Sequence, residues 1–238
     1  MHVVFRESHG LEETDAPFDP GQTPGDLVVL SFSDSDLGAF AAGWHRAAGA
    51  LPSCRLVNLV ALRHPLSVDT YVEKTLSGAK GILIRLIGGE SYWAYGLAQV
   101  QDLARRRGMA LAILPADGRP DARLDALSTL PVSTLRRLSA LCDAGGAVAA
   151  QAALAQLALA AGLYAGPVPG DKALPDCGWY DPALGVVPPP SGAPLSGAGP
   201  AVAVTFYRSY LTAADTGAVD ALIGGLRARG FNAVGLFA

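Results

Sequence analysis

The sequence predicts an α/β protein: a doubly wound parallel sheet, followed by a Pro/Gly-rich linker and the start of a second α/β unit. Three observations predict it. Short, continuous apolar runs alternate with helix-period segments as far as residue 114, the pattern of a parallel sheet covered on both faces. Half of the 238 residues are hydrophobic and only 16% are charged, enough apolar material for a large core. Between residues 165 and 200 the composition shifts abruptly, and a strand-helix-strand pattern restarts after it.

Asp26–Phe32 (DLVVLSF) reads as a buried strand, and Asp34 or Ser35 is placed to cap the next helix, Asp36–Ala48. Cys54–Val60 (CRLVNLV) reads as a second strand and Ser67–Leu76 as a helix with Ser67 as its cap. Gly81–Ile87 (GILIRLI) is a third strand. Tyr92–Arg107 is an amphipathic helix whose three terminal arginines and Gly108 suit the negative end of a helix dipole. Met109–Leu114 is a fourth strand. Val132–Ala144 and the Ala-rich Val148–Leu163 read as helices separated by Gly145-Gly146.

The stretch from Ala165 to Pro200 holds nine of the seventeen prolines and seven glycines. Proline donates no backbone hydrogen bond and glycine costs entropy to fix, so irregular chain is expected there, either flexible or anchored by Trp179 and Tyr180. Val202–Tyr207, Ala218–Arg229 and Asn232–Phe237 then read as strand, helix and strand. The expected division is a first domain over 1–165, a linker over 166–200, and the first β-α-β of a second, incomplete domain over 201–238.

Composition excludes several function classes. The net charge is −3 and the basic residues are scattered, so no stripe for nucleic acid exists. Three separated cysteines, Cys54, Cys142 and Cys177, make neither a disulfide framework nor a zinc spacing, which points to a reduced, cytoplasmic setting. Arg6 and Glu7 interrupt the N-terminus where a signal peptide needs an apolar run, and the Ala147–Leu163 stretch is too weakly hydrophobic for a membrane span. There is no G-x-x-x-x-G-K-[ST], no G-x-G-x-x-G after a strand and no G-x-S-x-G. None of the four histidines, His2, His9, His45 and His64, has a second ligand at metal-binding spacing. His64 is the best placed, because it follows a strand at the sheet end where α/β proteins bind ligands.

Two loops stand out. Arg85–Gly96 (RLIGGESYWAYG) follows the third strand, with Gly88 and Gly89 allowing a tight turn and Tyr92, Trp93 and Tyr95 placing aromatic area at a helix start. The loop suits contact with a flat or anionic group or with another subunit. Helix-spaced aromatics more often belong to a core, so packing is the competing reading. Tyr207–Asp215 (YRSYLTAAD) places Arg208 and Tyr210 after a strand, for an anion contact or for ordinary turn chemistry, with Asp215 or Thr216 as cap.

Four segments carry a family resemblance: LVVLSFSDSDL, RLVNLVALRHPLSVDTYVEKTLSGAKGILIRLIGGESYWAYGLAQV, ALAILPADGRPDARLDALSTLP and VAVTFYRSYLTAADTGAVDALIGGLRARGFNAVGLF. Together they resemble the amino-terminal region of the CobN family, the large subunits of cobaltochelatase, related to the H subunit of magnesium chelatase. The resemblance implies part of a subunit that binds the corrin precursor hydrogenobyrinic acid a,c-diamide. It also implies CobS- and CobT-type partners that hydrolyse ATP, with magnesium in the complex and cobalt as substrate. Family members are several times longer, so this stretch is expected to be scaffold or docking surface, inactive without the remainder of the large subunit. No catalytic residue is carried over. The alternative is a self-contained binding module for a tetrapyrrole or another flat anionic ligand.

Overall fold

A computed structural model describes residues 2–4, 16–187, 192–195 and 199–238. Arg6, Glu7 and His9 lie outside the described residues.

The first unit is a five-stranded parallel sheet. Its elements run β1 (His2–Val4), β2 (Leu27–Ser31), α1 (Asp34–Arg46), β3 (Cys54–Asn58), α2 (Pro65–Lys74), β4 (Gly81–Leu86), α3 (Ala94–Arg107), β5 (Ala110–Pro115), α4 (Ala122–Leu127), α5 (Val132–Ala144) and α6 (Gly146–Ala160). The strand order is β1-β3-β2-β4-β5. Every residue of β2, β4 and β5 is buried. Successive side chains point to opposite faces. Leu27, Val29, Leu56 and Leu83 therefore join α1, α5 and α6 in one core, while Val28, Leu30, Ile82 and Ile84 join α2, α3 and α4 in the other. Each such side chain contributes about 1.5–3 kcal/mol when fully buried, so these two cores dominate the stability.

Several boundaries differ from the sequence reading. Ser33, not Asp34 or Ser35, caps α1, its hydroxyl accepting from the Asp36 N–H. α2 begins two residues early because Pro65 fits the first turn of a helix. Ser67 is consequently a buried residue inside α2, and its Oγ accepts from the Phe18 N–H at 2.7 Å. α3 starts at Ala94, after a short 3-10 turn over Glu90–Tyr92. The span of α5, Val132–Ala144, agrees with the reading, with Pro131 at its start.

The Pro/Gly-rich stretch, expected to be irregular, contributes two strands, β6 (Gly178–Asp181) and β7 (Gly185–Val187). They form a hairpin on a second sheet with β8 (Ala201–Phe206) and β9 (Asn232–Phe237), in the order β7-β6-β9-β8. β6 runs antiparallel to β9, and β8 parallel to it. Between β8 and β9 lie α7 (Ser209–Thr212) and α8 (Gly217–Arg227). Tyr180 of β6 anchors this hairpin by donating its hydroxyl to Asp220 Oδ1 at 2.7 Å, and Asp181 pairs with Arg227 at 2.5 Å. Burial alone pushes the Asp181 carboxyl up. Arg227 and the N–H groups of Ala183 and Leu184 outweigh it, holding the group below the usual carboxylate range. Thr216 stands at the start of α8, but its hydroxyl donates to Asp220 Oδ2 instead of capping the helix.

Helices α1 and α6 approach closely at Gly43. A Cβ there would meet the Gln151 backbone nitrogen at 2.6 Å and the Ala147 carbonyl at 2.9 Å, and backbone atoms cannot step aside. Gly43→Ala is expected to lower unfolding free energy by about 1–3 kcal/mol through overpacking. Gly224→Ala, in α8 with open space around it, is expected to raise it by roughly 0.5–1 kcal/mol. Urea titration of both variants against the parent checks the pair of opposite signs.

Candidate functional site

Ligands of open parallel sheets bind beyond the carboxyl ends of the strands, where neighbouring strands send their chains to opposite faces. Here that point is β2. Its chain passes to α1 on one face, while β3 and β4 pass to α2 and α3 on the other. The crevice at the ends of β2, β3 and β4 is filled by polar side chains. Asn58 donates to Asp34 Oδ1 at 2.6 Å, and its own Oδ1 accepts from the Val60 N–H. The Ser31 hydroxyl donates to Asp36 Oδ2 at 2.8 Å.

Arg85 closes the cluster. The sequence places it both in the GILIRLI strand and at the opening of the loop after it, and it lies on β4 with its side chain only 5% exposed. Nη1 donates to Asp36 Oδ1 at 2.9 Å and Nη2 to Asp143 Oδ1 at 2.6 Å, so one guanidinium ties β4 to α1 and α5. Its Nε is buried with no hydrogen-bond partner. The polar groups of the crevice thus mainly satisfy one another. Asp36, Asn58 and Asp143 were missed by the sequence reading, although the SFSDSD run after an apolar strand signalled polar chemistry at that strand end.

The remaining predicted residues separate into buried and exposed sets. Trp93 is 5% exposed and donates its indole N–H to the Leu62 carbonyl at 2.8 Å, so it belongs to the core. Tyr92 and Tyr95 are 65% and 44% exposed. The Tyr95 hydroxyl donates to Asp69 Oδ1 at 2.7 Å, which raises its pKa, the hydrogen bond being the largest cause. The two tyrosines, Trp93, Val68 and Arg63 line a hollow of about 360 Å3 beside the start of α3. Arg63 was also missed, although it too follows the second predicted strand. Gly88 adopts φ +83°, and the Tyr92 ring lies where its Cβ would stand. Gly88 and Gly89 line a separate hollow of about 220 Å3 with Asp117, Arg119 and Asp121. His64 sits at the N-cap of α2, Nδ1 accepting from the Leu66 N–H at 3.1 Å.

The second loop packs on the first unit close to this cluster, since a Cβ at Gly38 would meet the Ala213 carbonyl at 3.0 Å and one at Gly145 would meet the Thr212 Cβ at 2.7 Å, but the two residues singled out in it have other partners. Arg208 donates through Nε to the Pro175 carbonyl and through Nη2 to the Leu174 carbonyl, both at 2.9 Å. Tyr210 packs edge-on to Phe206. A third hollow, about 400 Å3, is lined by Thr205, Phe206, Tyr207, Leu236, Phe237 and Ala238 at the ends of β8 and β9. Among the described residues no group of three or more His, Cys, Asp or Glu is placed to hold a metal ion. Burial pushes the Cys54 and Cys142 thiols up to about 12, so neither serves as a nucleophile near neutral pH. No helix among the described residues is long and apolar enough to cross a membrane.

No family model matches the chain. The aerobic cobaltochelatase subunit CobN of Sinorhizobium sp is 35% identical over 249 residues, an alignment that takes in 100% of this chain. The chain is homologous to CobN. The subunit of the same name from Pseudomonas aeruginosa is 35% identical over 236 residues, covering 98% of this chain. The catalytic subunit of cobaltochelatase from Mycobacterium tuberculosis superposes with a TM-score of 0.65 at 25% identity, over 89% of this chain and 16% of that one. The chain spans 19% of the length of each of the two CobN relatives. The aligned region is the amino-terminal part of CobN, and it takes in both sheets, since neither alignment stops at the Pro/Gly-rich stretch.

Replacing Arg85 leaves the largely buried Asp36, and the more exposed Asp143, without their shared cation. Arg85→Met is expected to cost about 1–3 kcal/mol, less than the removal of one partner from a fully buried ion pair because solvent screens Asp143. Chemical denaturation reads the loss, and a change below about 0.5 kcal/mol would contradict a structural role for the triad.

Proposed function

We propose that the chain serves as a scaffold and docking part of the large subunit of an ATP-dependent cobaltochelatase in the cytoplasm. That enzyme inserts cobalt into hydrogenobyrinic acid a,c-diamide during cobalamin biosynthesis. The observation that carries the proposal is the 35% identity to CobN along the entire chain. The resemblance to CobN implies that CobS- and CobT-type partners hydrolyse ATP, with magnesium, and the lack of a phosphate-binding motif in this stretch agrees with that division.

The chemistry agrees with this division. Metal insertion must strip water from the ion, remove protons from ring nitrogens and hold a bent macrocycle, which calls for a general base in a site closed to solvent. The crevice at the end of the first sheet offers no such base. Its carboxylates are engaged, Asp36 and Asp143 by Arg85 and Asp34 by the Asn58 amide. The chain's part is to bind and orient other parts of the subunit, while the metal-insertion site is placed elsewhere in it.

A second reading rests on the exposed tyrosines. Tyr92 and Tyr95 flank a hollow with Arg63 at its rim, a surface suited to stacking a flat anionic ring such as a tetrapyrrole. Absorbance titration of the folded chain with hydrogenobyrinic acid a,c-diamide separates the two. The scaffold reading expects no saturable change. Saturable binding that weakens at least tenfold in Tyr92→Ala or Tyr95→Ala would replace it with the binding-module reading. Both tyrosines are exposed, so these variants test the surface without emptying the core; Trp93 and Arg208 are held by backbone carbonyls and do not serve that purpose.

A further inference from the structure

The second sheet repeats the beginning of the first and then stops short of it. In the first sheet, the chain goes from β2 through α1 to β3 on one side. It then returns through α2, across the opposite face, to β4 on the other side of β2. In the second, the chain goes from β8 through α8 to β9. β8 thus corresponds to β2 and β9 to β3, and nothing among the described residues occupies the place of β4.

That place has the marks of a pairing surface. β8 is an edge strand. The Asn232 N–H donates to the Pro200 carbonyl and the Arg208 N–H to the Ala238 carbonyl, so even-numbered residues of this strand face β9. Alternation then turns the N–H and carbonyl groups of Ala201, Ala203 and Thr205 toward the free edge. The side chains of the same three residues are exposed on the sheet face opposite α8, while Val202, Val204 and Phe206 are half-buried beneath it. The flank of α8 above this edge is apolar over its first turns, while at its end Arg229 donates to the Gly225 carbonyl. Asp220 and Arg227 bond to β6, on the far side of β9. At 100° per residue, Ala218 and Leu222 fall on the other flank, and Leu222 is 53% exposed.

An open, apolar edge of this kind invites strand addition and is normally paired or covered. Right-handed crossover fixes how. A strand that follows β9 and pairs with β8 brings its helix across the face opposite α8. One strand and one helix therefore cover the free amides, Leu222 and the exposed Ala201, Ala203 and Thr205 together.

We propose that β8 is a docking edge for a parallel strand whose crossover helix lies on the face opposite α8, both supplied by the further polypeptide of a CobN-type subunit. The proposal rests on the reading of this chain as part of such a subunit. Its relatives are about five times as long as the stretch that this chain matches, so they carry ample polypeptide for the purpose.

The test is amide hydrogen exchange at Ala203 and Thr205, measured in the 238-residue chain and in the longer subunit. Exchange at these amides is expected to slow at least tenfold in the longer subunit. Equal exchange in both would overturn the proposal. Slow exchange in the shorter chain alone, with a dimeric mass in sedimentation, would also overturn it, because the edge would then hold a second copy. Ala203→Pro removes an outward N–H that β9 does not use. It is expected to leave the 238-residue chain folded and to restore fast exchange at Thr205 in the longer subunit. Cobalt insertion assayed on the same longer sample keeps the two ideas apart. Activity with fast exchange at the edge sinks the docking proposal alone, and slow exchange without activity sinks the chelatase reading alone.

Discussion

The first sheet is apolar on both faces, and the arrangement around it follows from the need to cover both. Leu27 and Val29 on one side of β2, and Val28 and Leu30 on the other, are all fully buried. Exposing either set would forfeit on the order of several kcal/mol, comparable with the whole net stability of a domain. Three helices cover each face, and the chain must change face at β2 to achieve this. The change of face opens a crevice at the strand ends. In many α/β proteins such a crevice takes a ligand. Here Arg85 fills it, bound to carboxylates from α1 and α5, and the crevice becomes part of the fold's own bracing.

The second sheet is built under the same constraint and meets it only in part. α8 covers one face with Val219 and Ile223, and the hairpin of β6 and β7 closes the β9 edge. Among the described residues, nothing covers the β8 edge or the face opposite α8 at that edge. Homology to one fifth of a much longer subunit gives this asymmetry a physical sense. On the docking proposal, the surface left open in this stretch is the surface that the further polypeptide of the subunit covers.

What the sequence disclosed follows from the range of the interactions involved. The GILIRLI run needs no distant partner to be recognised as a buried strand, and it was placed within a residue of its observed end. Arg85 inside that run also read as the opening of the loop after it, because its partners, Asp36 and Asp143, stand 49 and 58 positions away. The hairpin at Gly178–Val187 was hidden for the same reason: its strand status depends on pairing with Gly235–Phe237, while its local composition is that of a linker. Neighbouring aromatics also parted company. Trp93 found the Leu62 carbonyl and the core, whereas Tyr92 folded over Gly88 and stayed exposed, a division set by the 3-10 turn and non-helical residue before α3 that residue type alone does not reveal. His64, singled out for following a strand at the sheet end, stands at the N-cap of α2, a place expected for Ser67, and its acceptor nitrogen is engaged by the Leu66 N–H.

The account holds that this stretch is a docking part of a cobaltochelatase large subunit and that metal insertion takes place in the rest of it. The most direct measurement is cobalt insertion by a CobN-type subunit from which the region matching residues 1–238 has been deleted, assayed with its ATPase partners, with and without the 238-residue chain added back. The account predicts that the deleted subunit is inactive, that the chain with the ATPase partners alone is inactive, and that adding the chain to the deleted subunit restores insertion. Full activity of the deleted subunit, or activity of the chain with the ATPase partners alone, would contradict it.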